Sequence, residues 1–440
     1  MTGTADGKDT YLSNFSLFEQ SAAAGKQGWL HGKRRAAIAR FAELGFPSTR
    51  AEDWRYTNVA PIAQVAFHPA GYGRNGLTSA DIENYTFGEL ECCRFVFING
   101  IFSHELSSFR CSCRGARLMS LAAAVETERN YVEPYLAQYA SCDKNAFTAL
   151  NTAFVADGAF VFLPPGSVMK ETIHLLHLST SGGRPTVSHP RNLIVAGSGS
   201  RVSVVESHIG LEKGVYFTNA VTEIVVGKDA VVDYYRQQRE SESAYHISTV
   251  QVAQEASSAF SAHSISLGGS LVRSDVNVLL NGEGGDCTLN GLYVTKARQH
   301  VDNHTSIDHA KPHCTSRELY KGILDEKSSG VFNGRILVRK DAQKTNARQT
   351  NKNLLLSEEA LVNTKPQLEI FADDVKCTHG ATIGQLEEES LFYLRSRGID
   401  EKSARTLLTY AFASDIVGNI KIKPFQCQLD LVLLTRLSRV

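Results

Sequence analysis

The chain has 440 residues and a mass of 48.2 kDa, a length that accommodates about three ordinary domains or one long β domain with appendages. With 46 basic against 46 acidic residues its formal net charge is zero, which argues against sequence-independent nucleic-acid binding and against electrostatic attachment to anionic membrane, since both need a basic excess. At 42% hydrophobic residues it can bury a large core, and a surface without net charge is poorly protected against association, so a protein partner is expected.

The start, Met1 to Thr10, has no apolar segment of the kind a secretory signal needs, and no run approaches the roughly 18 apolar residues of a membrane span, so a cytoplasmic protein is expected. Nine cysteines, an odd number in so long a chain, read as free thiols of a reducing compartment. Residues 1–90 form an N-terminal helical region. From Phe15 to Leu44 the apolar residues recur at three- and four-residue intervals, and Gly45, Phe46, Pro47 and Ser48 stop the helix. Arg50 to Thr57, with Trp54 and Tyr56 among charges, reads as an ordered connector. Gly71 to Gly76 reads as a loop, followed by a helix start at Thr78 and Ser79.

At Arg94 the period changes. Arg94–Phe102 reads as a strand, residues 120–150 as a helical interlude, and the chain then breaks into short β-rich runs until Glu389. Turn-rich breaks begin at Gly197, Val226, Ala253 and Asn281, about 28 residues apart, and again at Lys340 and Ala372; a strand-turn unit of that length is the signature of a solenoid. We therefore expect a mainly β protein, with a parallel β-helix core over residues 91–385 flanked by N-terminal and C-terminal helical regions. The competing architecture is a β-sandwich, whose hairpins would carry frequent two-residue Asn-Gly or Asp-Gly turns. Only five such dipeptides occur, several without a matching hairpin. Residues 386–440 form the C-terminal helical region. A helix from Glu389 ends at Gly398, and a second is capped by Asp400 and lined on one side by Ala404, Leu407, Leu408, Ala411 and Phe412. Beyond Gly418 the alternating pattern reads as a strand or an irregular helix.

Several strings carry chemistry. Gly71-x-Gly73-x-x-Gly76 matches the dinucleotide fingerprint only as letters, because no strand-to-helix unit surrounds it. No Gly-x4-Gly-Lys-Ser/Thr loop exists, so the chain binds no nucleotide of its own and any ATP dependence must come from a partner. His300, His304, His309 and His313, followed by Cys314, read either as a metal site or as polar stacking along a solenoid face; in strands, His300 and His304 would share a side, as would His309 and His313. Cys377-Thr378-His379 places a thiol and an imidazole on one side of a strand, a soft pair that suits iron or zinc. The bland alternative is a buried cysteine beside a surface histidine. Two ligands cannot complete a tetrahedral ion or a cluster, so a functional pair would need the remaining donors from elsewhere, most economically from another chain. Cys92-Cys93 and Cys111-x-Cys113 lack a second matching pair and read as structural.

Longer motifs point to a family. Gly330 to Ser357, Pro366 to Gly384, Phe392 to Ile399 and Asp302 to Gly322 together resemble the SufB/SufD family of the SUF iron–sulfur cluster assembly system, over about Arg94 to Ser414. Pro47 to Thr57 and the Cys-Thr-His-Gly-Ala-Thr form at Cys377 resemble the SufD branch more than the SufB branch. The resemblance implies a right-handed parallel β-helix and a non-catalytic scaffold, not an enzyme. It implies pairing with a SufB-like subunit through the β-helix and binding of a SufC-like ABC-type ATPase through the C-terminal helices; in isolation a homodimer is expected. It implies that His379, and with it Cys377, faces a transient iron–sulfur cluster shared with the partner subunit. The ATPase surface is expected on Leu391, Phe392, Tyr393, Arg395, Arg397, Leu407, Tyr410 and Phe412, which are more apolar and more basic than two small terminal helices need for folding. One alternative is a SufB-like chain that holds the cluster mainly by itself; another is a stand-alone β-helix enzyme acting on polysaccharide, which would want acidic residues grouped on an exposed strand face and a secretion signal, and neither is visible.

Overall fold

The regular spacing of turns becomes a coil of about 30 residues, within the range of solenoid repeats. The computed structural model describes residues 7–21, 28–70, 76–88, 90, 92–109 and 112–438. Two sheets, of 11 and 10 strands, run side by side, and successive strands of the chain alternate between them. Each strand therefore pairs in parallel with strands one coil before and one coil after. In the first sheet Phe217 faces Tyr245, Tyr245 faces Leu271, Leu271 faces His300, His300 faces Ser329 and Ser329 faces Leu361. In the second, Val231 faces Ala259, Ala259 faces Asp286, Asp286 faces Thr315, Thr315 faces Asn346 and Asn346 faces Lys376. This is a parallel β-helix of about 8 coils, and the unbroken parallel register rules out the sandwich.

The turns that set the repeat are built alike. Between the sheets, each coil places one residue in the left-handed region: Gly199, Asp229, Ser257, Gly284, His313 and Lys344. Their N–H groups donate up the stack, Gly199 to the Lys228 carbonyl at 2.7 Å, Ser257 to Glu283 at 2.8 Å and His313 to Gln343 at 2.9 Å. Four of the six carry a side chain in a conformation that costs an L-residue about 1–2 kcal/mol, which the inter-coil hydrogen bonds offset. Asn99-Gly100 does make a hairpin, with φ of 51° and 84°, so the run expected as one strand is Cys92–Ile98 turning back into Ile101–Phe102.

Alternate residues of each strand fill the lumen, where Val202, Val204, Val232, Tyr234, Phe260, Ala262, Cys287 and Leu289 stack coil upon coil. The outer faces are also covered. Helices Gly7–Gln20, Gly28–Leu44 and Ala146–Ala153 lay Tyr11, Phe15, Phe41 and Phe147 over Phe217, Ile247 and Leu271 of the first sheet. Helices Glu401–Val417 and Lys423–Leu437 lay Ile416, Phe425, Leu429 and Leu433 over Val205, Tyr235, Ile265 and Leu292 of the second.

The C-terminal region corrects two expectations. The segment after Gly418 is a regular helix, Lys423–Leu437, because Phe425, Leu429, Leu433 and Leu437 repeat every fourth residue and bury one stripe. In Glu401–Val417 the buried side is Ala404, Thr409, Ala413, Ile416 and Val417, leaving Leu407 and Ala411 exposed. Small residues let that helix approach the sheet, so the larger apolar side chains turn outward. Asp400 caps it by accepting from the Ser403 N–H at 3.0 Å, and Gly398, at φ +87°, ends the preceding helix Glu388–Ser396.

The two ends of the solenoid differ. At the N-terminal end Cys92–Ile98 adds a parallel strand and Phe95, Phe97, Phe102 and Phe109 close the lumen. At the C-terminal end the last strands, Leu361–Ile370 and Lys376–Gly384, are paired on one side only among the described residues.

Candidate functional site

The open end is where the motif-bearing residues meet. Lys376–Gly384 hydrogen-bonds to Asn346–Leu355, and its outer backbone edge faces no described strand. Such an edge presents a row of unpaired N–H and C=O groups, a template for another chain. Apolar side chains stand exposed around it: Phe371 at 64% and Ile383 at 51%. Elsewhere in the solenoid the next coil would cover these positions.

Cys377 and His379 alternate along this strand, at register positions that face the lumen in the coils below. Cys377 lies opposite Ala347 and packs beside Ile336, Val338 and Ala372. Partial burial pushes its thiol up from the ordinary range, so in the free chain it is a protonated, half-buried hydrophobe. His379 lies opposite Gln349 and is exposed. Beneath it is a polar column that sequence reasoning missed. The Gln349 amide donates to Glu318 at 2.8 Å, and Glu318 is buried one coil further down. Burial raises the Glu318 carboxyl to about 7. The only signal for this column lies in the coil spacing: once the period is fixed, residues 318, 349 and 379 fall in line.

The histidine string does not converge on one point. His300 and His304 lie on the outer face of their strand, under the ordered connector. His300 contacts the Thr57 hydroxyl at 2.8 Å and Ser329 at 2.7 Å, while His304 pairs with Asp302 at 3.0 Å. Asp302 also accepts from Thr57 at 2.6 Å and from Arg273 at 3.0 Å, and the Arg273 guanidinium sits 3.8 Å from the Trp54 ring. His309 points into the lumen and meets Ser316 at 2.9 Å. His313 is a left-handed turn residue at the surface, so it does not share a side with His309 as a continuous strand would require. Polar packing accounts for these four. Gly71 and Gly73 of the glycine string, and Cys111, lie outside the described residues.

The terminal hairpin separates the eight residues expected to meet an ATPase. Phe392 (74% exposed), Tyr393, Arg395, Arg397 and Leu407 face outward, and helix Glu388–Ser396 buries no residue at all. Arg397 lies over the Tyr393 ring at 5.2 Å and Arg395 pairs with Glu401 at 3.5 Å. Leu391 is half-buried. Tyr410 donates to Asp430 at 2.8 Å, and Phe412 lies 4.4 Å from the Lys321 ammonium, so these two pack inward.

Comparison with known sequences covers nearly the whole chain. The family described as "SUF system FeS cluster assembly, SufBD core domain" matches residues 177–412, and that described as "SufBD protein N-terminal region" matches residues 5–175. The chain is 36% identical to an iron–sulfur cluster assembly SufBD family protein of Synechocystis, over 94% of this chain and 93% of that one. It is 31% identical to the iron–sulfur cluster assembly protein SufD of Escherichia coli, over 87% and 88% respectively. It is 32% identical to the chloroplastic protein ABCI7 of Arabidopsis thaliana, over 84% and 78%.

Proposed function

The chain belongs to the SufBD family of iron–sulfur cluster assembly proteins, and from that membership we propose that it is a SufD-like, non-catalytic scaffold subunit. In this reading it pairs through the open end of its β-helix with a SufB-like subunit and offers His379, with Cys377 behind it, to a nascent cluster held between the two chains. The cluster is cargo, built and passed on.

The observation that carries the reading is the unfinished C-terminal end. An edge strand with free backbone groups, exposed apolar side chains around it and a lumen-facing Cys377 and His379 is a surface prepared for another polypeptide. An iron–sulfur cluster needs about four ligands, so two donors on this edge require a second chain. His379 is the readier ligand because it is exposed; Cys377 joins when bound iron draws off its proton. A SufC-like ATPase docks on the outward residues of the terminal hairpin, and ATP-driven movement of that partner strains or opens the shared edge. Cys92, Cys113, Cys142, Cys287, Cys314, Cys377 and Cys427 are free thiols, which supports work in a reducing compartment, and no helix among the described residues is long and apolar enough to cross a membrane.

The test is His379→Ala in the co-expressed complex. Exposed and at a strand edge, the side chain contributes little to folding, so the melting temperature and partner capture should stay unchanged while cluster formation on the complex is lost. Wild-type cluster yield from that variant, or a stable stoichiometric cluster on the isolated wild-type chain, would overturn the shared-site reading.

A further inference from the structure

Deep in the first coils, far along the chain from the open end, lies the one group of three potential metal ligands found among the described residues: His177, Glu206 and His208, whose donor atoms all lie within 4.8 Å of one another. Glu206 and His208 alternate on strand Arg201–Gly210, so both face the lumen, and His208 is the register partner of His177 on strand Thr172–Ser179. Two donors on one strand and a third directly across on its neighbour make the tightest triangle a sheet face offers.

All three side chains are buried. Neither ring nitrogen of His177 meets a hydrogen-bond partner, and Nδ1 of His208 has none. The His177 ring is instead held between Phe97, 4.7 Å away, and His208, 4.8 Å away. A buried imidazole with two idle nitrogens, stacked on a second histidine and beside a carboxylate, points to a ligand. The carboxylate beside it is already aimed. Glu206 Oε2 accepts from the Tyr234 hydroxyl at 2.7 Å and from Thr222 at 2.9 Å, while Oε1 faces His208 Nε2 at 2.7 Å. Outer partners of this kind orient a metal-binding carboxylate. Just past strand Val231–Arg239, Glu240 accepts from Thr218 at 2.6 Å and pairs with His246 at 2.7 Å; the His246 ring meets that of His208 edge-on at 4.8 Å, and its Nε2 is unpartnered. Near two buried carboxylates, Glu206 and Glu240, stands the buried guanidinium of Arg236, the register partner of Glu206.

We propose that His177, Glu206 and His208 form a buried site for one divalent transition-metal ion of the zinc class, a permanent structural component that fastens the first coils of the solenoid. Two imidazoles and one carboxylate suit such an ion and not magnesium or calcium, which take oxygen ligands throughout. His246, whose ring meets that of His208 and whose Nε2 is unpartnered, is the candidate for the fourth donor. Binding turns one imidazole out of the near-parallel stack and widens the Glu206–His208 contact toward the edge of a tetrahedral site, about 3.3 Å for bonds near 2.05 Å. Because the three ligands are closed off from solvent, the ion is taken up as the chain folds. This separates it from the exposed edge at His379, where cargo must come and go.

Cobalt(II) is the probe. The full chain refolded with Co²⁺ should retain about one equivalent after desalting, show the visible absorption of a four-coordinate Co²⁺ ion, and melt at a higher temperature than chain refolded with chelator. His177→Gln and Glu206→Gln should each cut retained cobalt at least tenfold, with circular dichroism reporting their folding. The Cys377→Ala, His379→Ala double variant should retain it in full. If the well-folded wild type holds no stoichiometric cobalt, if the double variant loses it, or if a folded His177→Gln chain keeps it, the proposal fails. Should His177→Gln not fold, the cobalt content and spectrum of the wild type and of the double variant decide alone.

Discussion

Replacing Phe425 by alanine tests whether the last helix is part of the fold or only a docking arm. Phe425 is fully buried, edge-on to Phe87 at 5.2 Å and to Tyr235 at 6.1 Å, so its ring joins the tail, the N-terminal region and the outer face of the second sheet. Truncating a buried phenylalanine costs about 3–5 kcal/mol, the lost transfer free energy plus the cavity left behind. Leu431 lies on the opposite side of the same helix, 67% exposed, and its alanine variant should stay within about 0.5 kcal/mol of wild type. Phe425→Leu, which keeps most of the volume, should cost less than about 1.5 kcal/mol. The assay is urea unfolding at constant slope, with hydrogen exchange read on Val231–Arg239 and Asp286–Thr295, the strands beneath the helix. If Phe425→Ala costs under 1 kcal/mol on the order-of-magnitude scale of core truncations, or no more than Leu431→Ala, the helix is not a structural cover. The same argument makes cutting the chain after Gly384 a poor probe of partner binding, since it would uncover Val205, Tyr235, Ile265 and Leu292.

Three further outcomes follow from the structure. Glu223 accepts from the N–H groups of Ala137, Tyr139 and Ala140 and from the buried Arg191 at 2.6 Å; Glu223→Gln leaves that guanidinium without its counter-charge and should destabilise the chain by about 3–5 kcal/mol in urea unfolding. Glu318, raised to about 7, binds its proton more tightly folded than unfolded, so its contribution is full below about pH 4.5 and lost as pH rises through 7; Glu318→Gln should match wild type near pH 5 and exceed it by up to about 3 kcal/mol at pH 8. Equal differences at the two pH values would mean that Glu318 titrates normally. Phe392→Asp with Leu407→Asp should weaken capture of the proposed SufC-like ATPase at least tenfold with an unchanged melting temperature, since both side chains are exposed; undiminished capture would count against the proposed contact.

The coil period was legible because each turn needs its own small or polar residues, and the breaks at Gly197, Val226, Ala253 and Asn281 hold the left-handed residues Gly199, Asp229, Ser257 and Gly284. Which side of a strand faces the lumen was not legible. All 11 residues of Tyr216–Val226 and all 8 of Thr172–Ser179 are buried, because helices cover the outside while neighbouring coils fill the inside. Without a polar face the alternation that marks a strand's orientation disappears. The tail shows the complementary case: its four-residue stripe was present in the letters, yet its alternating neighbours resembled a strand until the sheet supplied a surface for Phe425 and Leu433.

The repeat, the flanking helices, the family motifs and the placing of Cys377 and His379 on one strand side can be read from the letters of the chain, because these depend on contacts within about one coil. That the solenoid closes at Phe95 and Phe97 and stays open at His379, that Glu318 and Gln349 stand beneath that histidine, and that His177 meets Glu206 and His208 emerges only once the coils are stacked. Those neighbours are separated by whole coils, and only the parallel register, summed over many backbone hydrogen bonds, brings them face to face.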